Sequence, residues 1–176
     1  SGEGHAVKAW EENGKFHMLY GGQAGICYAN SSDGYNWVRP ELGLVEFNGS
    51  KRNNLVTPQG GDEFKAVFED PLAPPEEKFK GMGCEGFWVD PDTAEILSNE
   101  EALHRMAAQE YGGQSYDGPK TQLRGWVVGY TSPDRIHWNK LEKPIGNFPM
   151  DGGISASYDA DTGFYFAYCR IHGASP

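Results

Sequence analysis

The chain has 176 residues, with 15 Lys and Arg against 25 Asp and Glu, a formal net charge of −10 and a pI near 4.9. So acidic a chain lacks the basic surface that displaces counterions from nucleic acid, and no run approaches the roughly 18 apolar residues of a membrane-spanning helix. Its 24 Gly and 11 Pro stand beside 9 Phe, 9 Tyr and 5 Trp, a pairing of turn-formers with rings that suits pleated sheet and argues against disorder.

Ser1-Gly2-Glu3-Gly4-His5 carries neither an initiator Met nor the apolar core of a signal peptide, so the chain is expected to begin after processing or to be cut from something longer. Strands are predicted at 5–10 and 15–20, joined by the hairpin chemistry of Glu11-Glu12-Asn13-Gly14. A third follows at 26–31, then a Ser31-Ser32-Asp33 turn and a fourth strand at 35–39 carrying Trp37. The Asp of such a turn accepts hydrogen bonds from turn N–H groups, and the Trp closes over the hairpin.

The second unit has strands at 63–69 and 78–84, then an interruption over 92–120. There Ser98-Asn99-Glu100-Glu101 is a capping box. Leu103, Met106, Ala107 and Tyr111 follow at helical spacing, and Gly112-Gly113 marks the end. A helix inserted on one rim of the fold is expected, with His104 and Arg105 solvated. Strands resume at 124–131 and 136–140.

That last stretch repeats the first unit. Ile26 to Trp37 returns as Val127 to Trp138 at a constant offset, with Asp134 in the place of Asp33 and Ile145 in the place of Leu44. A second repeat sets an acid eight residues before another: Glu3 and Glu11, Asp62 and Asp70, Asp151 and Asp159. A third unit accordingly begins at 151 and runs through a second strand at 164–170.

Repeated four-stranded antiparallel units are the pattern of β-propeller blades. The expectation is an all-β fold, a partial propeller of about two and a half four-stranded blades with one helical insertion. Blade boundaries fall at 3–47, 62–148 and 151–176, in an incomplete domain whose remaining blades belong to a parent chain. The scattered Cys27, Cys84 and Cys169 fit buried apolar positions better than a metal site or a disulfide framework. No cofactor or metal is expected.

Tyr28 through Pro40 resembles the Ser-x-Asp-Gly-x-x-Trp motif of five-bladed propeller glycoside hydrolases around families 32 and 43. The turn is one residue shorter than the sialidase Asp box. The continuation, with Pro40 to Ser50, Asn53 to Val56, Val67 to Pro71 and Lys78 to Lys80, is most similar to uncharacterised bacterial family-32-like propeller proteins. The resemblance implies that the partial propeller is five-bladed, with a carbohydrate ligand and a secreted or periplasmic setting.

Glycosidic cleavage uses two carboxyl groups flanking the bond. In the resembling enzymes these acids stand near the starts of innermost strands, which points to Asp62 or Glu63 and to Asp151 here. Glu3 and His5 hold the equivalent place in the first unit, where the family motif would have an Asp, and with Glu63 and Arg170 they are the candidate substrate-binding residues. Glu85, in Gly83-Cys84-Glu85-Gly86, is a further candidate acid, and Arg170 a candidate partner for Asp151. Asp70-Pro71 is similar to the Arg-Asp-Pro triplet of family 32, but Glu69 replaces the Arg and the flanking prolines favour a turn. Trp10, Trp88 and Trp126 are either sugar platforms or core, with core packing expected. The function implied is a glycoside hydrolase-like protein acting on or binding carbohydrate, hydrolytic through Asp/Glu acid–base chemistry if active. The alternative is a non-catalytic carbohydrate-binding or interaction propeller.

Overall fold

The computed structural model describes residues 6–22, 24–57, 63–112, 118–146 and 150–171. The described residues form an all-β architecture of three antiparallel sheets with one α-helix. The first sheet holds β1 (Ala6–Glu12), β2 (Lys15–Gly22) and β3 (Gly25–Ser31); the second holds β4 (Glu63–Glu69), β5 (Phe79–Val89), β6 (Gln122–Ser132) and β7 (Asn139–Lys140); the third holds β8 (Met150–Asp159) and β9 (Phe164–Ile171). Each sheet is a meander in chain order.

Local chemistry sets the hairpins. Asn13 and Gly14 both take positive φ (54° and 74°), as the tight β1–β2 turn requires, and Glu11 accepts the Gly14 N–H at 2.6 Å. Gly163 (φ 74°) closes the β8–β9 turn by donating to the Asp159 carbonyl at 2.9 Å. The pairing register places Glu12↔Lys15 and Asp159↔Phe164 at the two hairpin ends, and Asp70 bonds Lys78 at the third. Glu12, not Glu11, is therefore the counterpart of Asp70 and Asp159.

The expected fourth strands are short. Over 35–39 there is one bridge, Asn30↔Val38, with hydrogen bonds of 3.0 and 2.8 Å; Pro40, which has no N–H to donate, follows at once. In the second sheet β7 spans two residues. By contrast β5 and β6 extend beyond the prediction, and Phe87, Trp88 and Val89 pair with Arg124, Leu123 and Gln122.

The sheets stack face to face. Leu19, Ile26 and Tyr28 of the first meet Val67, Val128 and Tyr130 of the second, with Val56 and Leu44 from the intervening loop. Burial of side chains of this size contributes roughly 1.5–3 kcal/mol each. The other face of the second sheet, with Ala66, Phe68, Met82 and Val127, meets Ala156, Tyr158 and Cys169 of the third. Along one edge the first strands run side by side, β4 lying against β1 and against β8.

Helix α1 (Asn99–Gly112) starts where the capping box placed it, the Glu101 N–H donating to Ser98 Oγ at 3.1 Å. Its buried face differs from the expected one. Ala102 is fully buried while Leu103 is 64% exposed. Arg105 is not solvated: it donates to Asp90 and Glu101 at 2.7 Å each and to the Lys120 carbonyl at 3.0 Å. That anchor, on the same helix face as Ala102, rotates Leu103 outward. His104 is exposed, and the Tyr111 side chain lies outside the described residues.

Candidate functional site

Each first strand carries a register irregularity near its start, between Ala6 and Lys8, Phe64 and Ala66, and Asp151 and Ile154. Bulges of this kind re-aim neighbouring side chains and are over-represented beside active sites. Of the predicted acids, Glu63 precedes the second irregularity by one residue and Asp151 borders the third. Glu63 opens β4 directly opposite Cys84, and Asp151 is at the irregularity of β8, directly opposite Arg170. The side chains of Glu63, Asp151 and Arg170, and the whole of Glu3, His5 and Asp62, lie outside the described residues.

Glu85 follows Cys84 on β5, opposite Trp126. Its carboxylate forms an ion pair with Lys140 of β7, across two strands of its own sheet. Asp70 ends β4 in a turn, as its prolines suggest: its Oδ1 accepts the Leu72 N–H at 3.0 Å and its carbonyl the Ala73 N–H at 3.3 Å. It is also buried and accepts the Tyr165 hydroxyl of β9 at 2.5 Å. That hydrogen bond holds the Asp70 carboxyl below its ordinary pKa against the opposing effect of burial, and the same bond pushes the Tyr165 phenol up to about 12. A charged carboxylate locked to a neutral phenol is an inter-sheet tie.

Two of the three candidate tryptophans, Trp10 and Trp126, pack against neighbouring rings. Trp126 is buried against Phe87 (ring centroids 5.6 Å). Trp10 is covered on one side by His17, stacked at 5.2 Å, and approached by the Arg135 guanidinium at 4.8 Å, so its faces are occupied. Trp88 is half-buried. Cys27 is buried, and Cys84 and Cys169 are half-buried in the packing between the second and third sheets.

Both Ser-x-Asp turns have the expected chemistry. Asp33 accepts the Tyr35 and Asn36 N–H groups at 2.8 and 2.7 Å, and Trp37 Nε1 donates to the Gly34 carbonyl at 3.2 Å. Asp134 accepts the Ile136 and His137 N–H groups, each at 2.8 Å, and Trp138 Nε1 donates to the Arg135 carbonyl at 2.8 Å. The hydrogen bonds from Asn36 and Tyr35 lower the Asp33 pKa strongly. These are ionised structural carboxylates, not proton-transfer groups.

Arg135 escaped the sequence reading. At φ 66° it stands where the first copy has Gly34, and its guanidinium lies 3.7 Å from the Phe79 ring centroid and 3.4 Å from Glu69. Burial lowers its pKa, with Glu12 and Glu69 opposing. The Asp70–Tyr165 tie was missed as well; the signal available for it was the alignment of Tyr165 with Phe16 and Phe79 behind their hairpins. Among the described residues no group of three or more His, Cys, Asp or Glu could hold a metal ion, and no helix is long and apolar enough to cross a membrane.

No protein-family model, curated protein or solved structure matches the chain.

Proposed function

We propose that the three sheets are blades of a propeller and that the chain is a glycoside hydrolase-like protein that acts on or binds carbohydrate. The observation that carries this reading is the alignment of β1, β4 and β8 side by side, irregular near their starts, with Glu63 one residue before the β4 irregularity and Asp151 bordering that of β8. Acids supplied by neighbouring first strands are what hydrolysis with one acid and one base or nucleophile requires. Asp62, one residue before β4, belongs to the same group.

A second reading, carbohydrate binding without hydrolysis, is favoured by the state of the carboxylates whose side chains are described. Glu85 is paired with Lys140 and Asp70 with Tyr165, so neither is a free acid or base. A panel of aryl glycosides separates the two. If the chain is hydrolytic, Asp151→Asn and Asp62→Asn together lower turnover by about 10²–10⁴-fold, the usual scale for loss of an acid–base group. Turnover that survives the double variant removes both residues from the catalytic role. Glycan binding without turnover selects the second reading, and neither binding nor turnover overturns both.

A further inference from the structure

The chain contains two Asn-Gly pairs, and both sit in the same kind of turn. Asn13-Gly14 joins β1 to β2, with Glu12↔Lys15 as the flanking pair. Asn48-Gly49 lies in the loop between β3 and β4, flanked by the bridge Phe47↔Ser50 with hydrogen bonds of 2.9 and 3.1 Å. The backbones are alike: φ is 54° and 74° in the first pair, 51° and 77° in the second, the left-handed geometry that Asn-Gly favours. All four residues are exposed. Even the third residue before each Gly is the same, Glu11 in one turn and Glu46 in the other.

The difference is the Gly N–H. Glu11 Oε1 accepts it from Gly14 at 2.6 Å. Among the described residues nothing accepts it from Gly49, and the Glu46 beside that turn is exposed. The hold on the backbone differs too. The first turn closes strands of seven and eight residues paired along their length. The second closes one isolated bridge, with Asn53 Nδ2 bonded to the Ser50 carbonyl beside it at 3.1 Å. So short a ladder opens at little cost.

We propose that Asn48 is a site of spontaneous deamidation, and that Asn13 is spared because Glu11 holds the nitrogen that would attack. A peptide nitrogen that loses its proton to solvent is a nucleophile beside the preceding side-chain amide, and Gly, with no Cβ, leaves that nitrogen unshielded. At Asn48 the Gly49 nitrogen bonds to Cγ, the Cγ–Nδ2 bond breaks, and Nδ2 leaves as ammonia with a proton taken back from water. Water then opens the five-membered succinimide at either carbonyl. One opening gives aspartate; the other gives isoaspartate, whose backbone runs through the side-chain methylene. The sum is amide plus water to carboxylic acid plus ammonia, with no oxidation or reduction. At Asn13 the same attack must first break a hydrogen bond to a carboxylate, the stronger class of such bonds. Negative charge on the nitrogen would also form against that carboxylate. Each event at Asn48 adds a negative charge to a chain already at −10, and the isoaspartyl form undoes the Phe47↔Ser50 register. The site involves neither the first strands nor their acids, so it is independent of the carbohydrate reading.

The test incubates the full chain at physiological temperature and mildly alkaline pH. Both sites are followed by peptide mapping with mass spectrometry, which separates the Asn, Asp and isoaspartyl peptides. In the native chain Asn48 should convert at least roughly tenfold faster than Asn13, the ratio that about 1.4 kcal/mol of barrier produces. In urea, which removes the turns, the two rates should converge. Glu11→Ala should raise the Asn13 rate severalfold and leave Asn48 unchanged. Circular dichroism checks that this variant folds; should it not, the comparison of native chain with urea decides. Equal native rates, or an Asn48 that stays intact in the native chain while it converts in urea, overturns the proposal. An Asn13 rate unmoved by Glu11→Ala in the folded variant overturns the role given to that carboxylate.

Discussion

The two Ser-x-Asp turns share one hydrogen-bond scheme and differ at one consequential position. In the first, the left-handed residue is Gly34 (φ 78°), and a Cβ built there would lie 3.7 Å from the Phe16 ring. In the second it is Arg135 (φ 66°), a non-glycine residue in a region that costs an L-residue about 1–2 kcal/mol. Its guanidinium stands over Phe79 and beside Trp10, joining the turn of the second sheet to β1 of the first. Cation–π contacts of this kind contribute about 0.5–2 kcal/mol each, most when desolvated. Ser and Asp fix the turn; the left-handed position is then open either to ease, as Gly, or to reach across an interface, as Arg.

The largest expected effect removes what the turns share. Asp134→Ala strips two backbone N–H groups of their acceptor and leaves His137 Nδ1 without its partner at 2.7 Å. Hydrogen bonds to charged groups are worth about 1.5–3 kcal/mol, so a loss of about 2 kcal/mol is expected from urea denaturation, allowing for the turn's exposure. Asp33→Ala should move the midpoint in the same direction but by less. If Asp134→Ala leaves the midpoint unchanged, the carboxylate does not organise the turn.

Next come substitutions at the position where the turns differ. Arg135→Ala loses the cation–π contacts and keeps the backbone cost, whereas Arg135→Gly loses the contacts and relieves it. The Gly variant should therefore be the more stable of the two by about 1 kcal/mol, with both below the parent chain. Gly34→Ala should destabilise the first turn by about 1 kcal/mol for the same backbone reason. Equal stability of the Ala and Gly variants at 135 would show that backbone conformation sets no preference there.

What the sequence disclosed follows the range of the interactions involved. The turns were legible because Asp33 and Asp134 bond residues two and three positions away. The start of α1 was legible because Ser98 caps within three residues. The buried face of that helix was not, because Arg105 finds Asp90 fifteen residues back. Arg135 and Tyr165 reach Glu69 and Asp70, 66 and 95 residues away, and no local pattern reports such pairs. The fourth strands are shorter than the sequence suggests because Trp37 and Trp138 suit a strand, whereas their indoles close the turn. The acids of the candidate site were legible as a repeat; their position beside strand irregularities depends on register, which composition and spacing leave open.

The smallest effect concerns the third sheet, where the aromatic aligned with Phe16 and Phe79 is Tyr165. With no turn over it among the described residues, its hydroxyl donates to Asp70 of the second sheet. Tyr165→Phe should cost about 1 kcal/mol near neutral pH, the net worth of one hydrogen bond at a half-exposed phenol. The pH dependence gives a sharper readout than the magnitude. The Asp70 pKa is lowered from 3.8, so its contribution is present above that value and declines as pH falls through the folded-state pKa, where the native carboxylate finally takes up its proton. The Tyr165 pKa is raised from 10.0 to about 12; the unfolded phenol ionises first, and the native state loses stability as pH rises through that interval. Tyr165→Phe should remove the alkaline decline assigned to this residue and weaken the acid one. A variant whose stability profile parallels the parent's at both ends would show that the phenol is not what ties Asp70 to the third sheet.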